Sequence, residues 1–405
     1  MEANHLINIE QFIAEHVTGR RQSLFAADMQ AFDTALSKEI QHKSVLVIGG
    51  AGTIGSSFIK ALLAYKPAKL VVVDINENGL TELVRDCRSS PTIALPPDFK
   101  SYPINFGDPV FKKIFEKEAP FHIVANFAAH KHVRSEKDPF SIEAMIHNNV
   151  LKAKELLDLL LTSKPEHFFC VSTDKAANPV NIMGASKKLM EEMVLAYAQD
   201  LNITTARFAN VAFSNGSLLA GFIERMMKQQ PLSCPSDVKR YFVSPQESGE
   251  ICLLACVLGQ TGDIFFPKLD AEKDLVNFAG IARSFLHYMG LQEVVCETEA
   301  EARTCKPEPG SNKYPVYFFE SETSGEKLFE EFFTEQEHII TDKFAALGVI
   351  KNASRRSKQE LNDMVAAIRK LFEKEVDKAA IVSLLQILLP NFQHNETGLN
   401  LDQKM

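Results

Sequence analysis

Asp174 and Lys175 stand side by side and bring a carboxyl and an amine to one place. Such a pair can serve as acid and base when its surroundings set the two proton affinities apart. It follows a short apolar run, His167–Val171, with Ser172 and Thr173 between. Eight residues on, Met183-Gly184-Ala185-Ser186-Lys187 opens a helical stretch. Taken alone, an Asp-Lys pair in a turn is equally a solvated ion pair of little worth to stability. What lies around it has to decide.

A second pattern narrows the choice. Val45-Leu46-Val47-Ile48 runs into Gly49-Gly50-Ala51-Gly52-Thr53-Ile54-Gly55, a GxxGxxG between an apolar run and a helical stretch. Gly49 permits a tight turn, Gly52 lets backbone approach a pyrophosphate, and Gly55 lets the helix pack closely on a sheet. The N–H groups of the first helical turn, from Thr53 and Ile54 onward, then face the phosphates. Asp74 ends the next apolar run, Leu70–Val73, where a carboxylate can accept hydrogen bonds from an adenosine ribose. Ile75-Asn76-Glu77-Asn78 contains no cation to meet a 2′-phosphate, so NAD is expected over NADP. Asp108 is a candidate adenine contact or an N-cap. Ala128 and Ala129, after His122–Phe127, are small enough to let backbone pass close to the cofactor.

The elements that must position these groups follow from the alternation. The apolar runs Ser44–Ile48, Leu70–Val73, His122–Phe127, His167–Val171 and Thr204–Phe208 are separated by helical stretches such as Ser56–Ala64 and Val150–Leu161. Strands alternating with helices imply an α/β fold, a doubly wound parallel Rossmann sheet covered on both faces. Its carboxyl edge puts Thr173, Asp174 and Lys175 at the ligand crevice. The expected division is a helical extension over 1–42, the dinucleotide-binding unit over 43–210, a smaller substrate lobe over 211–335 and a helical extension over 336–405. Residues 298–313, rich in Glu, Pro and Gly, read as loop.

Bulk properties exclude several classes. The chain is 45% hydrophobic and 24% charged, an ordinary globular composition, and its net charge of −8 argues against nonspecific nucleic-acid binding. No apolar run approaches the roughly 20 residues that span a bilayer, and the N-terminus lacks a signal-peptide core. The seven cysteines show no CxxC pair and do not read as a disulfide framework; Cys252 and Cys256, one helical turn apart, read as core residues. No metal, membrane or nucleic-acid partner is expected, and a reducing cytoplasm is the expected location.

Val171-Ser172-Thr173-Asp174-Lys175-Ala176-Ala177-Asn178-Pro179 with Met183-Gly184-Ala185-Ser186-Lys187 resembles the signature of the UDP-N-acetylglucosamine 4,6-dehydratases. These are extended short-chain dehydrogenase/reductases of bacterial polysaccharide and glycan biosynthesis. Ala128-Ala129-His130-Lys131-His132-Val133 is similar to the family's AAxKHV, Asn148-Asn149-Val150 to its asparagine-containing helix start, Arg207-Phe208-Ala209-Asn210-Val211 to its RFGNV, Arg240-Tyr241-Phe242 to its RYF, and Gly325-Glu326-Lys327-Leu328 to its GEKL. The resemblance covers about residues 43–335. Thr323-Ser324 stands where the family often has Arg-Pro, so the usual diphosphate arginine is missing there.

The resemblance implies tightly bound NAD that takes hydride from C4 of the sugar and returns it to C6, with water lost between C5 and C6. It implies Lys175 as the C5 base, its pKa lowered by burial or nearby cations, and Asp174 as the acid for the C6 hydroxyl. It implies Lys187 on the nicotinamide ribose. Met183 occupies the position of the superfamily tyrosine; its thioether cannot relay the C4 hydroxyl proton, leaving Thr173, Asp174 or a water to do so. In this family Met accompanies retention of the C5 configuration. Lys131, His132, Asn210, Arg240 and Glu326 are the implied nucleotide-sugar contacts, and a homo-oligomer is implied. A nucleotide-sugar epimerase and a noncatalytic NAD-binding scaffold are the competing readings.

Overall fold

A computed structural model describes residues 7–305, 311–321, 329–351, 353 and 355–394. Strands β1 (Ser44–Ile48), β2 (Lys69–Asp74), β3 (Asp98–Pro103), β4 (Ile123–Asn126), β5 (His167–Val171) and β6 (Ile203–Ala206) alternate with helices that include Thr53–Leu63, Glu77–Ser89, Pro109–Glu118, Lys152–Leu160 and Ile182–Ala196. Further along lie β7 (Asn210–Val211), β8 (Leu232–Pro235), β9 (Lys239–Val243), β10 (Asp263–Pro267), β11 (Leu275–Asn277), β12 (Gln292–Cys296), β13 (Lys313–Phe319), β14 (His338–Ile340) and β15 (Leu347–Lys351).

The main sheet has nine strands in the order β14-β15-β10-β6-β5-β4-β1-β2-β3. From β3 to β10 every pairing is parallel, and β15 and β14 close one edge in antiparallel register. The order reverses at β1, between β2 and β4. The crevice at that switch point, beyond the carboxyl ends of the strands, is where such sheets bind ligands. Helices cover both faces, which is why β1 and β2 read as unbroken Val/Leu/Ile runs: Val45–Ile48 and Leu70–Val73 are buried throughout. Burying one such side chain contributes roughly 1.5–3 kcal/mol, so a charge at any of these positions would break the sheet.

Two of the three apolar cores flank this sheet. The third lies in a lobe that carries two small sheets, β11-β9-β7 and β12-β13-β8. The N-terminal segment contributes to both lobes. Phe12, Ile13 and Val17 enter the third core, and Phe25, Leu36 and Ile40 enter a sheet core. Between them Arg20 donates to Glu247 Oε1 (2.9 Å) and to the Phe242 carbonyl (2.9 Å), and pairs with Asp274 (3.2 Å). Helices Lys358–Leu371 and Lys378–Leu388 lay Met364, Ile368, Ile381 and Leu385 on the other sheet core.

Two local expectations change. The mostly helical pattern from residue 336 onward holds from Lys358, but β14 and β15 precede it, because Leu347–Ile350 is a run short enough to pair with β10 and be buried there. Within the segment read as loop, Glu299–Thr304 is helical: Thr298 caps it by accepting from Glu301 N, and Ala302 is buried. No described helix is long and apolar enough to cross a membrane.

Candidate active site

The glycine loop joins β1 to the helix Thr53–Leu63. Gly49 has φ +76°, and a Cβ on it would lie 2.5 Å from Ala128 N. A Cβ on Gly55 would lie 2.2 Å from Gly49 O. Both positions are therefore closed by the protein's own backbone. Gly52 differs: a Cβ there would meet only Gly49 O, at 3.5 Å, an ordinary contact. Packing does not account for that glycine, and the face of the loop is left open to the close approach of a ligand. Gly52 is also the N-cap and supplies no side-chain cap, so Thr53 and Ile54 begin a helix whose first N–H groups are set to receive an anion.

Asp74, at the end of β2, accepts from Ala51 N at Oδ2 and from Asn76 N at Oδ1, both at 2.9 Å. It braces the loop and keeps lone pairs for a further donor, since a carboxylate offers about four acceptor sites. Ala128 and Ala129 follow β4, where Ala128 N donates to Asn126 Oδ1 (3.0 Å). Asp108, exposed beyond the end of β3, is the N-cap of Pro109–Glu118 and accepts from Asn105 N (3.2 Å). From the second lobe, Asn215 N donates to Thr53 Oγ1 (2.9 Å) and so reaches the glycine loop, a contact no sequence pattern announces.

The carboxyl end of β5 carries the charged part of the site. Asp174 is 3% exposed, and its Oδ1 accepts from Thr173 Oγ1 (2.8 Å), Lys175 N (2.8 Å) and Lys175 Nζ (3.1 Å). Lys175 Nζ also lies 3.6 Å from Glu330 Oε1, a buried carboxylate absent from the sequence-based site. Arg240, on β9, is buried and close enough to act on Lys175 as a like charge. The expected lowering of the Lys175 pKa is not what this setting produces. Burial does push it down, but the Asp174 and Glu330 carboxylates outweigh both burial and Arg240 and hold the ammonium above its ordinary value. A backbone approach fixes this loop: a Cβ on Gly184 would sit 2.7 Å from the Lys175 carbonyl oxygen.

Met183 lies buried in the first turn of Ile182–Ala196, where Asn181 accepts from Gly184 N and Glu136 accepts from Met183 N (2.8 Å). Lys187, one turn later on the same face, donates to the Val171 carbonyl (2.7 Å), which holds it at the end of β5. Burial pushes its ammonium down, against smaller opposing effects of Cys170 and Glu191.

A buried network carries the loop. Glu191 accepts from Ser172 Oγ (2.9 Å) and from Arg207 Nε (2.9 Å), and Arg207 also donates to Glu337 (2.8 and 2.9 Å). Burial alone would raise the Glu191 pKa, but Arg207 and Lys188 hold it down to about 2. Arg207 of the RFANV segment is thus part of the frame, while Asn210, half-buried at the start of β7, pairs in register with Phe242 of β9.

Asn149 orders the remaining wall. It lies in a π-helical turn, His147–Leu151, accepts from His130 N (2.8 Å) and donates to the His130 carbonyl (2.9 Å) and Ser186 Oγ (3.0 Å). Lys131 and His132 follow; solvent reaches both, yet the surrounding wall desolvates them enough to lower both pKa values. The His132 ring faces Gly216 of the second lobe, whose Cβ would lie 3.0 Å away. Glu326 falls outside the described residues.

The chain matches the family model described as polysaccharide biosynthesis protein over residues 45–352. A Methanocaldococcus jannaschii protein named uncharacterized membrane protein MJ1061 is 32% identical over 75% of this chain and 84% of its own. The Staphylococcus aureus capsular polysaccharide biosynthesis protein CapD is 27% identical over 88% of this chain, which spans only 59% of CapD. A Rickettsia canadensis protein named UDP-glucose 4-epimerase is 29% identical over 69% of this chain and 87% of its own. Among solved structures, Pen from Bacillus thuringiensis shares the fold with a TM-score of 0.63 at 19% identity, covering 82% of this chain and 98% of Pen. With three quarters of its length matched by the family model, this chain belongs to the polysaccharide biosynthesis protein family.

Proposed function

We propose that the chain is an NAD-dependent nucleotide-sugar 4,6-dehydratase. Its substrate is UDP-N-acetylglucosamine, and it retains the C5 configuration within bacterial polysaccharide or glycan biosynthesis. One observation carries the reading. Asp174 and Lys175 Nζ sit 3.1 Å apart at the carboxyl end of β5, on the edge of the sheet where Gly52 leaves a cradle open. The open loop, the uncapped helix start and Asp74 suit a dinucleotide, and the lack of a cation in residues 75–78 favours NAD over NADP. When bound, NAD supplies a hydride acceptor for C4 and a hydride donor for C6.

The other steps fall to side chains. Beside a C4 ketone the C5 proton is acidic; Lys175, once neutral, takes it and returns a proton to C5 as C6 is reduced. Asp174, loaded through Thr173 with the proton given up by the C4 hydroxyl, protonates the departing C6 hydroxyl. Because the carboxylates favour the ammonium, Lys175 has to pass a proton on before it acts, and Glu330 at 3.6 Å offers an acceptor. Thr173 is assigned to the C4 hydroxyl proton, since Met183 cannot carry it. Lys187 is assigned to the nicotinamide ribose; Lys131, His132, Asn210 and Arg240 to the sugar and its diphosphate; Glu326 to the uridine ribose. Seven free cysteines suit a reducing cytoplasm, and a homo-oligomer is part of the proposal.

The test is incubation with UDP-N-acetylglucosamine and NAD in deuterated water, followed by mass spectrometry. A product that has lost one water and carries solvent deuterium at C5 is expected. A product isomeric with the substrate would instead support the second reading, an epimerase, which the name of the Rickettsia relative favours. No product from UDP- or other nucleotide-linked hexoses would overturn both.

A further inference from the structure

Far along the chain from Asp174 and Lys175, three potential ligand atoms converge. The thiols of Cys296 and Cys305 and a carboxylate oxygen of Glu301 all lie within 4.8 Å of one another. Cys296 ends β12, Glu301 lies in the short helix Glu299–Thr304, and Cys305 is that helix's C-cap. Strand end and helix end are thereby brought to one point. The Glu301 carboxylate is already oriented, because Glu297 N donates to its Oε2 (2.8 Å). Ligating carboxylates are commonly held by such a second hydrogen bond.

We infer that Cys296, Cys305 and Glu301 form a binding site for a zinc-like divalent cation, with water in the fourth position, which clips the β12–helix loop closed. Zinc takes thiolate at about 2.3 Å and carboxylate oxygen at about 2.0–2.2 Å in tetrahedral geometry. Ligand atoms around one ion are then separated by roughly 3.5–4 Å, within the bound seen here. Binding replaces two S–H protons by the metal: two thiols, one carboxylate and M²⁺ give the complex and two released protons.

A disulfide is the other use of two adjacent thiols, but it would give no part to the Glu301 carboxylate, which is held by Glu297 N and has an oxygen at the same point as the two sulfurs. This site departs from the sequence-based expectation of no metal, which rested on the absence of a CxxC pair; here the spacing is that of a strand end and a helix cap.

The test uses the full chain, purified under reducing conditions, stripped with chelator and titrated with Co²⁺ as a spectroscopic probe, then with competing Zn²⁺. One equivalent of Co²⁺ should bind with a thiolate-to-cobalt charge-transfer band and intense tetrahedral d–d bands, and Zn²⁺ should displace it. Cys296→Ser and Cys305→Ser should abolish the band. Glu301→Gln, an exposed change that leaves both thiols and the fold in place, should weaken Zn²⁺ binding by about tenfold or more. Glu299→Gln, which removes only the surface pairing with Arg303, should change nothing. Absence of a thiolate band, its survival in the serine variants, or isolation of the native chain with a Cys296–Cys305 disulfide overturns the inference. None of these readouts depends on the sugar chemistry.

Discussion

The two sides of the crevice are built differently. The cradle side, from the glycine loop to Lys187, is assembled by backbone: Gly49 and Gly55 are closed off by main-chain atoms, and Lys187 is pinned to the Val171 carbonyl. The charge side, around Lys175, is assembled by side chains from separate parts of the chain, with Asp174 on its own turn, Arg240 on β9 and Glu330 from beyond β13. The same desolvation acts on both lysines, yet Lys187 is pushed down and Lys175 is held up. Burial alone does not set a lysine's proton affinity; the carboxylates that accompany it decide. A rigid frame suits holding a cofactor, and a cluster of opposed charges suits moving protons.

The sharpest way to break this division is to remove one lysine from each side. Lys175→Ala should cut dehydration by about 10²–10⁴-fold, the usual worth of a positioned acid or base, and should abolish deuterium incorporation at C5 while dinucleotide binding persists. Lys187→Ala should weaken dinucleotide binding, measured by calorimetry. If Lys187→Ala alone removed deuterium incorporation, the two sides would have to exchange roles.

Next in size is the frame the two sides share. Glu191 bonds Ser172, just before the charge side, and lies on the helix that carries Lys187. Arg207→Met leaves Glu191 buried without its main partner, and stripping one member of a buried pair costs about 3–5 kcal/mol. The unfolding midpoint in denaturant should fall accordingly. A loss below 1 kcal/mol would mean that Lys188 and Ser172 suffice.

Smaller, and aimed at the cradle, is a pair of glycine substitutions. Gly55→Ala forces a Cβ against Gly49 O and should cost about 1–3 kcal/mol in stability, as overpacking does. Gly52→Ala meets only an ordinary contact, so it should leave thermal unfolding unchanged and weaken dinucleotide binding instead. Equal effects on folding from both changes would show that Gly52 serves packing and not a ligand.

These contrasts also explain what could be read in the sequence. β1, β2, β4 and β5 were visible as apolar runs because helices bury both their faces. β3, Asp98–Pro103, was not: it is the edge strand, only half-buried, and carries Asp98, Lys100 and Ser101. β14 and β15 were hidden in a segment whose helical periodicity begins just beyond them. Within the site, the glycine loop, Asp74 and the Asp174-Lys175 pair are local patterns. Glu330, Asn215 and the Glu191–Arg207–Glu337 network are partners made by folding, and a carboxylate that meets its lysine only in three dimensions leaves no spacing to recognise. The Lys175 pKa departs from its expected direction because Asp174, adjacent in sequence, and Glu330, brought in by folding, together outweigh burial and Arg240.

Glu330 gives the finest test, because its removal should move Lys175 toward Lys187's behaviour without touching the cradle. In the proposed reaction Lys175 acts as a neutral base, so kcat/KM should rise with pH as its ammonium deprotonates. Burial and Arg240 lower that pKa, and Asp174 and Glu330 raise it. Glu330→Gln removes one of the two raising charges and keeps the shape. The Lys175 pKa should fall, and the acid limb of the profile should move to lower pH. Substrate KM at the plateau should stay the same, because Glu330 is argued to act through Lys175. The shift can be read apart from turnover by following the pH dependence of Lys175 acetylation with mass spectrometry. A merely structural role would lower stability and leave both profiles in place. Unmoved profiles with unchanged stability would mean that Glu330 is neutral in the folded chain and that Asp174 alone holds the ammonium.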